Sequence, residues 1–92
     1  MDHIAELLDT EGDYSLVRWT GRRFPGLLLQ GDSLSILVSD LRELKTLLSD
    51  GEYGEASFSA REILERVEVM QRSYENMMKN VGIKLPYAAG DA

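Results

Sequence analysis

The stretch that decides the fold is residues 21–37, GRRFPGLLLQGDSLSIL, which predicts a turn, a buried strand and the start of a helix. Pro25 restricts Phe24 to extended backbone, and Pro25-Gly26 is typical of a turn in which the glycine takes a positive φ. The apolar run at residues 27–30 is short enough for a strand that is buried by covering helices. The stretch therefore predicts a sheet that needs helices packed on it.

The first helix is predicted over residues 33–49, with Asp32 as its N-cap. Its leucines recur at spacings of three and four, which places them on one face of a helix. This stripe consists of Leu34, Leu37, Leu41, Leu44 and Leu48. Gly51 is the predicted helix stop.

Two further strands are predicted before this stretch. Residues 14–19, YSLVRW, have the aromatic and branched side chains that strands prefer. Residues 3–9 fit either a strand or a short N-terminal helix, and we favour the strand because a turn signal around Gly12 would make a hairpin. With residues 27–30, these segments predict a three-stranded antiparallel meander.

The second helix is predicted over residues 60–81. Ser59 and Glu62 have the spacing of a capping box, and residues 50–57 form a polar loop before it. Gly82 follows the last helical position and is the residue type that ends helices in a Schellman motif. The eight-residue loop predicts that the two helices pair antiparallel.

These elements define an α+β fold in which the three-stranded meander packs on an antiparallel two-helix hairpin. A chain of 92 residues is long enough for one core, so we expect a single domain over residues 1–86. Ile83 is expected to fold back toward Met78 in the Schellman motif. Residues 87–92 are expected to form a loose C-terminal tail.

The charge balance bears on the class of partner. Sixteen acidic and ten basic residues give a net charge of −6, which opposes binding to nucleic-acid phosphates. No apolar run approaches the ~20 residues that cross a bilayer, and the acidic N-terminus is unlike a signal peptide. We therefore expect no nucleic acid and no membrane as partners, and a cytoplasmic location.

Catalytic and metal-binding chemistry finds little support in the sequence. The chain has no cysteine, and its one histidine, His3, has no plausible partner nearby. The glycine-rich loops, histidine pairs and serine elbows of common enzymes are missing from the sequence. We therefore predict no catalytic residue, no cofactor, no metal site and no enzymatic activity.

Acidic residues concentrate between Asp50 and Glu68. Three of them have no basic residue four positions later, the favourable orientation of a helical ion pair, namely Glu52, Glu55 and Glu65. One interpretation is a solvated face, and the other is a recognition surface for a partner with a basic site, whose association the charge would accelerate. We treat the three glutamates as candidate partner-binding residues.

Basic and aromatic residues gather at the loop between the second and third strands. An arginine there often stacks on a neighbour such as Trp19 or Phe24. Tryptophan and arginine are also the residues enriched at the centres of protein interfaces. Arg22, Arg23 and Trp19 are therefore candidates for partner contact.

The second helix carries a late group of large side chains that the shorter first helix does not reach. This group, Met70, Tyr74, Met77 and Met78, either fills gaps against the sheet or forms a surface for self-association. The second alternative predicts a homodimer.

The segments GRRFPG at residues 21–26 and QGDSL at residues 30–34 resemble a family of small bacterial proteins of unknown function with the signature GR[RK]FPG…QGDSL. The similarity covers residues 14–48. Some such families accompany polymorphic toxin systems, so the resemblance implies an immunity role. It implies no catalytic residues.

We draw three hypotheses on function from these observations. The first is a non-enzymatic protein-binding module, in its most specific form an immunity protein or antitoxin-like inhibitor that blocks a toxin by surface complementarity. The second is a structural or regulatory homodimer assembled through the second helix. The third is an unrecognised enzyme or small-ligand binder, which a well-formed polar pocket would favour.

Overall fold

The computed structural model describes residues 4–88, and these residues form an α+β fold, as the sequence predicts. Three antiparallel strands come first and two helices follow. His3 and residues 89–92 of the predicted tail lie outside the described residues. The elements are β1 (Ala5–Glu11), β2 (Tyr14–Trp19), β3 (Gly26–Leu28), α1 (Gly31–Ser49) and α2 (Tyr53–Asn80).

The sheet has the strand order β1-β2-β3 and is a meander. The N-terminal segment is a strand, which answers the choice between strand and helix that the sequence left open. Gly12, in the turn between β1 and β2, has a φ of +57°. The third strand begins at Gly26 and ends at Leu28, one residue earlier at its start and two earlier at its end than predicted.

A β-bulge interrupts the pairing of β1 with β2. Leu7 lies opposite Val17, and Asp9 lies opposite Leu16, so Leu8 is an extra residue with no partner on β2. The extra residue changes which side chains point to each face. Leu7 is exposed, whereas Leu8 packs against the core.

The chain divides into two compact units. The first, which we call the sheet unit, contains residues 4–29 together with residues 70–88. Its core joins Leu16 of β2 to Tyr74, Met77 and Met78 of α2. The late turns of α2 therefore cover the sheet, and two methionines fill the space that the sheet leaves, since Leu16, Met77 and Met78 are fully buried.

Tyr74 organises the contacts around this core. Its hydroxyl donates a hydrogen bond of 2.7 Å to the backbone carbonyl of Pro25. Its ring also stacks with that of Tyr87, with the centroids 6.4 Å apart. The Tyr87 hydroxyl donates in turn to Glu75 Oε2 at 3.0 Å, so side-chain contacts attach the first residue of the predicted tail to α2.

The second unit, Gln30–Val69, contains α1 and the first half of α2, and we call it the hairpin unit. Helix α1 begins two residues before the predicted start. Its N-cap is Gln30, which makes no side-chain capping bond, and Asp32 lies inside the first turn. The prediction of Asp32 as N-cap is therefore wrong. The carboxylate accepts a hydrogen bond from the Ser33 amide at 2.8 Å and still adds negative charge where the helix dipole favours it.

Helix α2 begins at Tyr53, six residues before the predicted cap at Ser59. The predicted loop over residues 50–57 and the capping box are therefore wrong. The Ala56 amide donates to the Glu52 carbonyl at 2.9 Å, so the first turn is already closed there. The polar residues of this turn face solvent, while Ala56 is buried and gives the turn a packing contact.

Both helices end in Schellman motifs, as the glycines predict. At the end of α1, the Glu52 amide donates to the Leu47 carbonyl, and Gly51 has a φ of +74°. At the end of α2, the Ile83 amide donates to the Met78 carbonyl at 3.0 Å. The predicted return of Ile83 to Met78 is confirmed.

The helices of the hairpin unit are joined by Asp50, Gly51 and Glu52, and an ion pair between Arg66 and Asp40 links them side by side. Neither described helix is long and apolar enough to span a membrane.

Candidate functional site

The face of the sheet opposite the core is open. Directly opposed residues share a face of a sheet, and the pairs Leu7–Val17 and Val17–Gly26 place these side chains on the side away from Leu16. Trp19 follows Val17 by two residues and lies on the same face. This open sheet face, defined by Leu7, Val17, Trp19, Gly26 and Leu28, exposes three large apolar side chains: Leu7, Trp19 and Leu28.

Trp19 is the largest side chain on the open sheet face, and 43% of it is exposed. Its ring packs on Gly26, where a Cβ atom would stand 3.1 Å from the ring carbons Cη2 and Cζ3. Gly26 is therefore needed for close approach of the ring. The positive φ that a Pro-Gly turn allows at Gly26 does not occur, and Gly21 is the glycine of this loop with a positive φ, of +84°.

Each arginine of the loop stacks on an aromatic ring. The guanidinium carbon of Arg22 lies 5.6 Å from the Trp19 ring centroid, and that of Arg23 lies 5.1 Å from the Phe24 ring centroid. These are cation–π distances, worth ~0.5–1 kcal/mol each at an exposed site. The stacking predicted for these residues is confirmed. Both arginines remain exposed and can still contact a partner.

Trp19 contributes to the lining of two shallow hollows. One, of about 210 Å³, is lined by Ile4, Ala5, Trp19 and Thr20. The other, of about 470 Å³, also includes Arg18 and Arg22. Arg18 Nη2 lies 3.7 Å from Glu6 Oε1 in an exposed ion pair. Arg22 is therefore the more available of the two arginines for a carboxylate of a partner. The Trp19 ring lines both hollows, and the second hollow is lined by Glu6 as well as by the two arginines, but not by Ala5.

A separate groove runs along the hairpin unit. It has a volume of about 430 Å³ and is lined by the acids Asp40, Glu43, Glu55 and Glu62, the base Arg66, and apolar residues including Phe58 and Ile63. Arg66 pairs with Asp40. The other three carboxylates of the groove belong to Glu43, Glu55 and Glu62. These groups can bind a basic side chain.

The three predicted acidic contact residues do not form one cluster. Glu55 lines the groove, but neither Glu52 nor Glu65 is among the lining residues. Glu52 lies in the link between the helices, where its backbone closes the adjoining turns. The structure therefore brings Glu55 together with Glu43 and Glu62, which the sequence did not single out.

The late residues of α2 lie in the interior of the single chain. Met77 and Met78 are fully buried, and Met70 and Tyr74 are each less than a tenth exposed. Of the two alternatives for this group, the structure shows core filling. Any self-association must therefore use other residues.

Two stacked tyrosines have raised pKa values. Burial raises the pKa of Tyr74 above its usual value, and burial is also the main cause of a raised pKa at Tyr87. Over residues 4–88, no three acidic, histidine or cysteine side chains are grouped so as to hold a metal ion.

The open sheet face was only partly visible in the sequence. Alternation along the predicted strand 14–19 is enough to put Val17 and Trp19 on one face, and the arginines and tryptophan are candidates by residue type. Leu7 and Gly26 were missed, because the bulge in β1 and the approach of the ring to the glycine are set by pairing between strands. The groove acid Glu62 was missed because Arg66 lies four residues after it, at helical pairing distance, and Glu43 was missed because it precedes the acidic segment between Asp50 and Glu68.

The fold and these surfaces define a small α+β protein with an exposed aromatic–arginine surface and an acidic helical groove. The chain belongs to the family of unknown function DUF6959, whose model matches residues 1–87. No curated protein matches the chain. No solved structure matches it.

Proposed function

We propose that the chain is a non-enzymatic protein-binding module, in its most specific form an immunity protein or antitoxin-like inhibitor that blocks a toxin by surface complementarity. The observation that carries this proposal is the Trp19 ring, which is 43% exposed on the open sheet face and packs on Gly26. A fixed aromatic side chain loses little conformational entropy on binding, and tryptophan is the residue type most enriched at interface hot spots.

The surroundings of Trp19 indicate what a partner presents to it. Leu7 and Leu28 offer apolar contact on the same face, and Arg22 offers a cation at its edge. A complementary surface places an apolar side chain against the ring and a carboxylate beside Arg22. Because Arg22 is already stacked, less of its freedom is lost when that carboxylate binds.

The acidic groove supplies a second contact, which suits the basic site expected of a toxin. Glu43, Glu55 and Glu62 face the same groove as the exposed ring of Phe58. A lysine or arginine side chain can lie on that ring and reach the carboxylates. Such charge mainly increases the association rate, so this contact should weaken as salt is raised.

The test of the immunity role is co-expression with candidate toxins encoded beside the gene. The expected result is that the chain restores growth and copurifies with one of these toxins. If no neighbouring toxin is neutralised and none is retained by the immobilised chain, the immunity role is wrong.

The test of the surface is truncation of Trp19 in that complex. Trp19→Ala should weaken binding by roughly 2 kcal/mol or more, about thirtyfold, as expected for an aromatic hot-spot residue. Val69→Ala is the matched control, since Val69 is 42% exposed and lines neither the groove nor the hollows. Equal losses for the two variants would contradict the assignment of the open sheet face.

The groove is tested by charge reversal at two glutamates. Glu55→Lys should slow association and flatten its salt dependence, while Glu65→Lys, which changes net charge equally outside the groove, should have the smaller effect. If the two variants change the association rate alike, the effect comes from net charge and the groove is not a contact site.

A further inference from the structure

The hairpin unit carries an apolar face that its own helices do not cover. The contact seam between α1 and α2 is identified by the half-buried and buried positions. These are Ser33, Leu37, Asp40, Leu44 and Leu47 on α1, and Ala56, Ser59, Ile63 and Arg66 on α2. The Arg66–Asp40 ion pair joins the two sets, which confirms that they face each other.

Three leucines of α1 lie to one side of this seam. At ~100° per residue, Leu34, Leu41 and Leu48 are rotated roughly 60–100° from the centre of the seam in one direction. On α2, Tyr53, Leu64 and Val67 are rotated roughly 60–120° in the same rotational sense. Because the helices run antiparallel, equal rotational sense places the six side chains on one side of the hairpin.

The acidic groove lies on the opposite side. Glu43 on α1 and Glu55, Phe58 and Glu62 on α2 are rotated roughly 60–120° from the seam in the other direction. All four line the groove, which confirms the helical positions independently. The hairpin unit therefore has one acidic side and one apolar side, and we call the second the apolar hairpin face (Leu34, Leu41, Leu48, Tyr53, Leu64 and Val67).

The apolar hairpin face is exposed in the single chain. Its six side chains are between 40% and 69% exposed, and none carries a charge. Within the hairpin unit only Ala56 and Ile63 are buried. Both belong to α2, and α1 has no buried residue. A unit of this size with two buried residues has a small core of its own, so covering this face would add much of its stability.

We infer that the occupant of this face is a second copy of the chain, with α1 lying antiparallel on α1 of the partner. The three leucines are spaced seven residues apart, so a two-fold axis at Leu41 sets Leu34 against Leu48 of the partner subunit and Leu41 against itself. The pairing of two hairpins makes a four-helix arrangement with the leucines at its centre.

Charge and area both fit this occupant. Because two chains of net charge −6 repel each other, contact between them is least opposed at an uncharged surface. The apolar hairpin face is uncharged and lies on the side opposite the acidic groove. A 19-residue helix is ~28 Å long, and two helices side by side are roughly 20 Å wide. Two such faces bury on the order of 1,000 Å² in total, which reaches the lower bound for a specific interface.

Light scattering of the purified chain over a range from low to high micromolar concentration tests the inference. The wild-type chain should have the mass of a dimer at high concentration. Leu41→Glu should raise the dissociation constant at least roughly thirtyfold, because it places two carboxylates against each other in an apolar contact. Phe58→Glu is the matched control, since Phe58 is 60% exposed but lies on the groove side.

Cross-linking tests the contact without destabilising the fold. The chain has no cysteine, so Leu41→Cys introduces a single thiol on the proposed axis. Helices packed 8–10 Å apart bring facing Cα atoms within the reach of a disulfide, so mild oxidation should yield a covalent dimer at low micromolar concentration. The thiol of Phe58→Cys should cross-link at least tenfold more slowly.

A monomeric mass at all concentrations would overturn the inference, and so would a dimer that Leu41→Glu and Phe58→Glu weaken equally. A monomer that binds a different protein through Leu41 would also overturn it. A negative result in the toxin co-expression test does not affect the dimer inference, because the proposed dimer contact includes neither Trp19 nor the groove.

Discussion

The hydroxyl of Tyr74 donates a hydrogen bond to the carbonyl of Pro25 at 2.7 Å and so joins residues that are 49 positions apart in the chain. The bond fixes the turn that leads into β3, and Gly26, the next residue, supports the Trp19 ring. The core of the sheet unit and the exposed aromatic surface are therefore connected through one buried hydroxyl.

Removal of that hydroxyl should destabilise the protein. Tyr74→Phe keeps the ring and its packing on the core but leaves the buried Pro25 carbonyl without this donor, at a cost of ~1–3 kcal/mol. Urea unfolding followed by circular dichroism would measure the change. Tyr53→Phe, at an exposed tyrosine, is the control and should be nearly neutral at concentrations below those at which the proposed contact between copies forms.

The same tyrosine should make stability depend on alkaline pH. Burial raises the pKa of Tyr74 in the folded chain above the value of ~10 for the unfolded chain, so the folded state holds the phenolic proton more tightly. The stabilisation is complete below pH ~10 and is lost as pH rises through the folded pKa. The free energy of unfolding should therefore fall above pH ~10, less steeply in Tyr74→Phe. An identical slope in the variant would argue against Tyr74 as the source.

A methyl group at Gly26 should move the tryptophan. The added Cβ of Gly26→Ala would lie 3.1 Å from the Trp19 ring, so the partly exposed ring has to shift toward solvent. Trp19 is the single tryptophan of the chain, so a red shift of the fluorescence emission reports on this movement directly. Gly31→Ala is the control, because a Cβ there meets nothing within 4 Å. Unchanged emission for Gly26→Ala would mean that the ring does not rest on this residue.

Two glycines three residues apart should respond to alanine with opposite signs. Gly51 has a φ of +74°, so Gly51→Ala should cost ~1–2 kcal/mol. Gly54 lies in the first turn of α2 with open space around it, so Gly54→Ala should stabilise by up to ~1 kcal/mol. Thermal unfolding of the two variants provides the comparison. A destabilising effect at Gly54 would contradict the helical start at Tyr53.

The elements that local chemistry determines were predicted well. Strand β2 was predicted with its exact bounds, and the glycine-ended helix at Gly82 with the return of Ile83 was predicted in detail. The start of α2 was not, because the capping-box pattern at Ser59 also fits the interior of a helix. What extends the helix back to Tyr53 is the packing of Ala56, and packing is decided by tertiary contacts.

The candidate surfaces were harder to predict for the same reason. Residue type alone identified Trp19 and Arg22, since their chemistry is unusual wherever they lie. Which apolar stripe covers Leu16 and which stays exposed depends on contacts between residues far apart in sequence. The methionines, for which the sequence left core filling and a surface as alternatives, are core for that reason, and three leucines of the predicted stripe, Leu34, Leu41 and Leu48, are exposed.

The bulge at Leu8 has a consequence for how the chain behaves in a crowded cell. An edge strand with free amides is a template on which other chains can add in register, which is the first step of fibril growth. In β1 that template is interrupted after Leu7, and the acidic side chains of Asp9 and Glu11 follow at once. The other edge, β3, is only three residues long and follows a proline. A protein that leaves so much apolar surface exposed on its faces thus keeps the edges of its sheet poorly suited to aggregation.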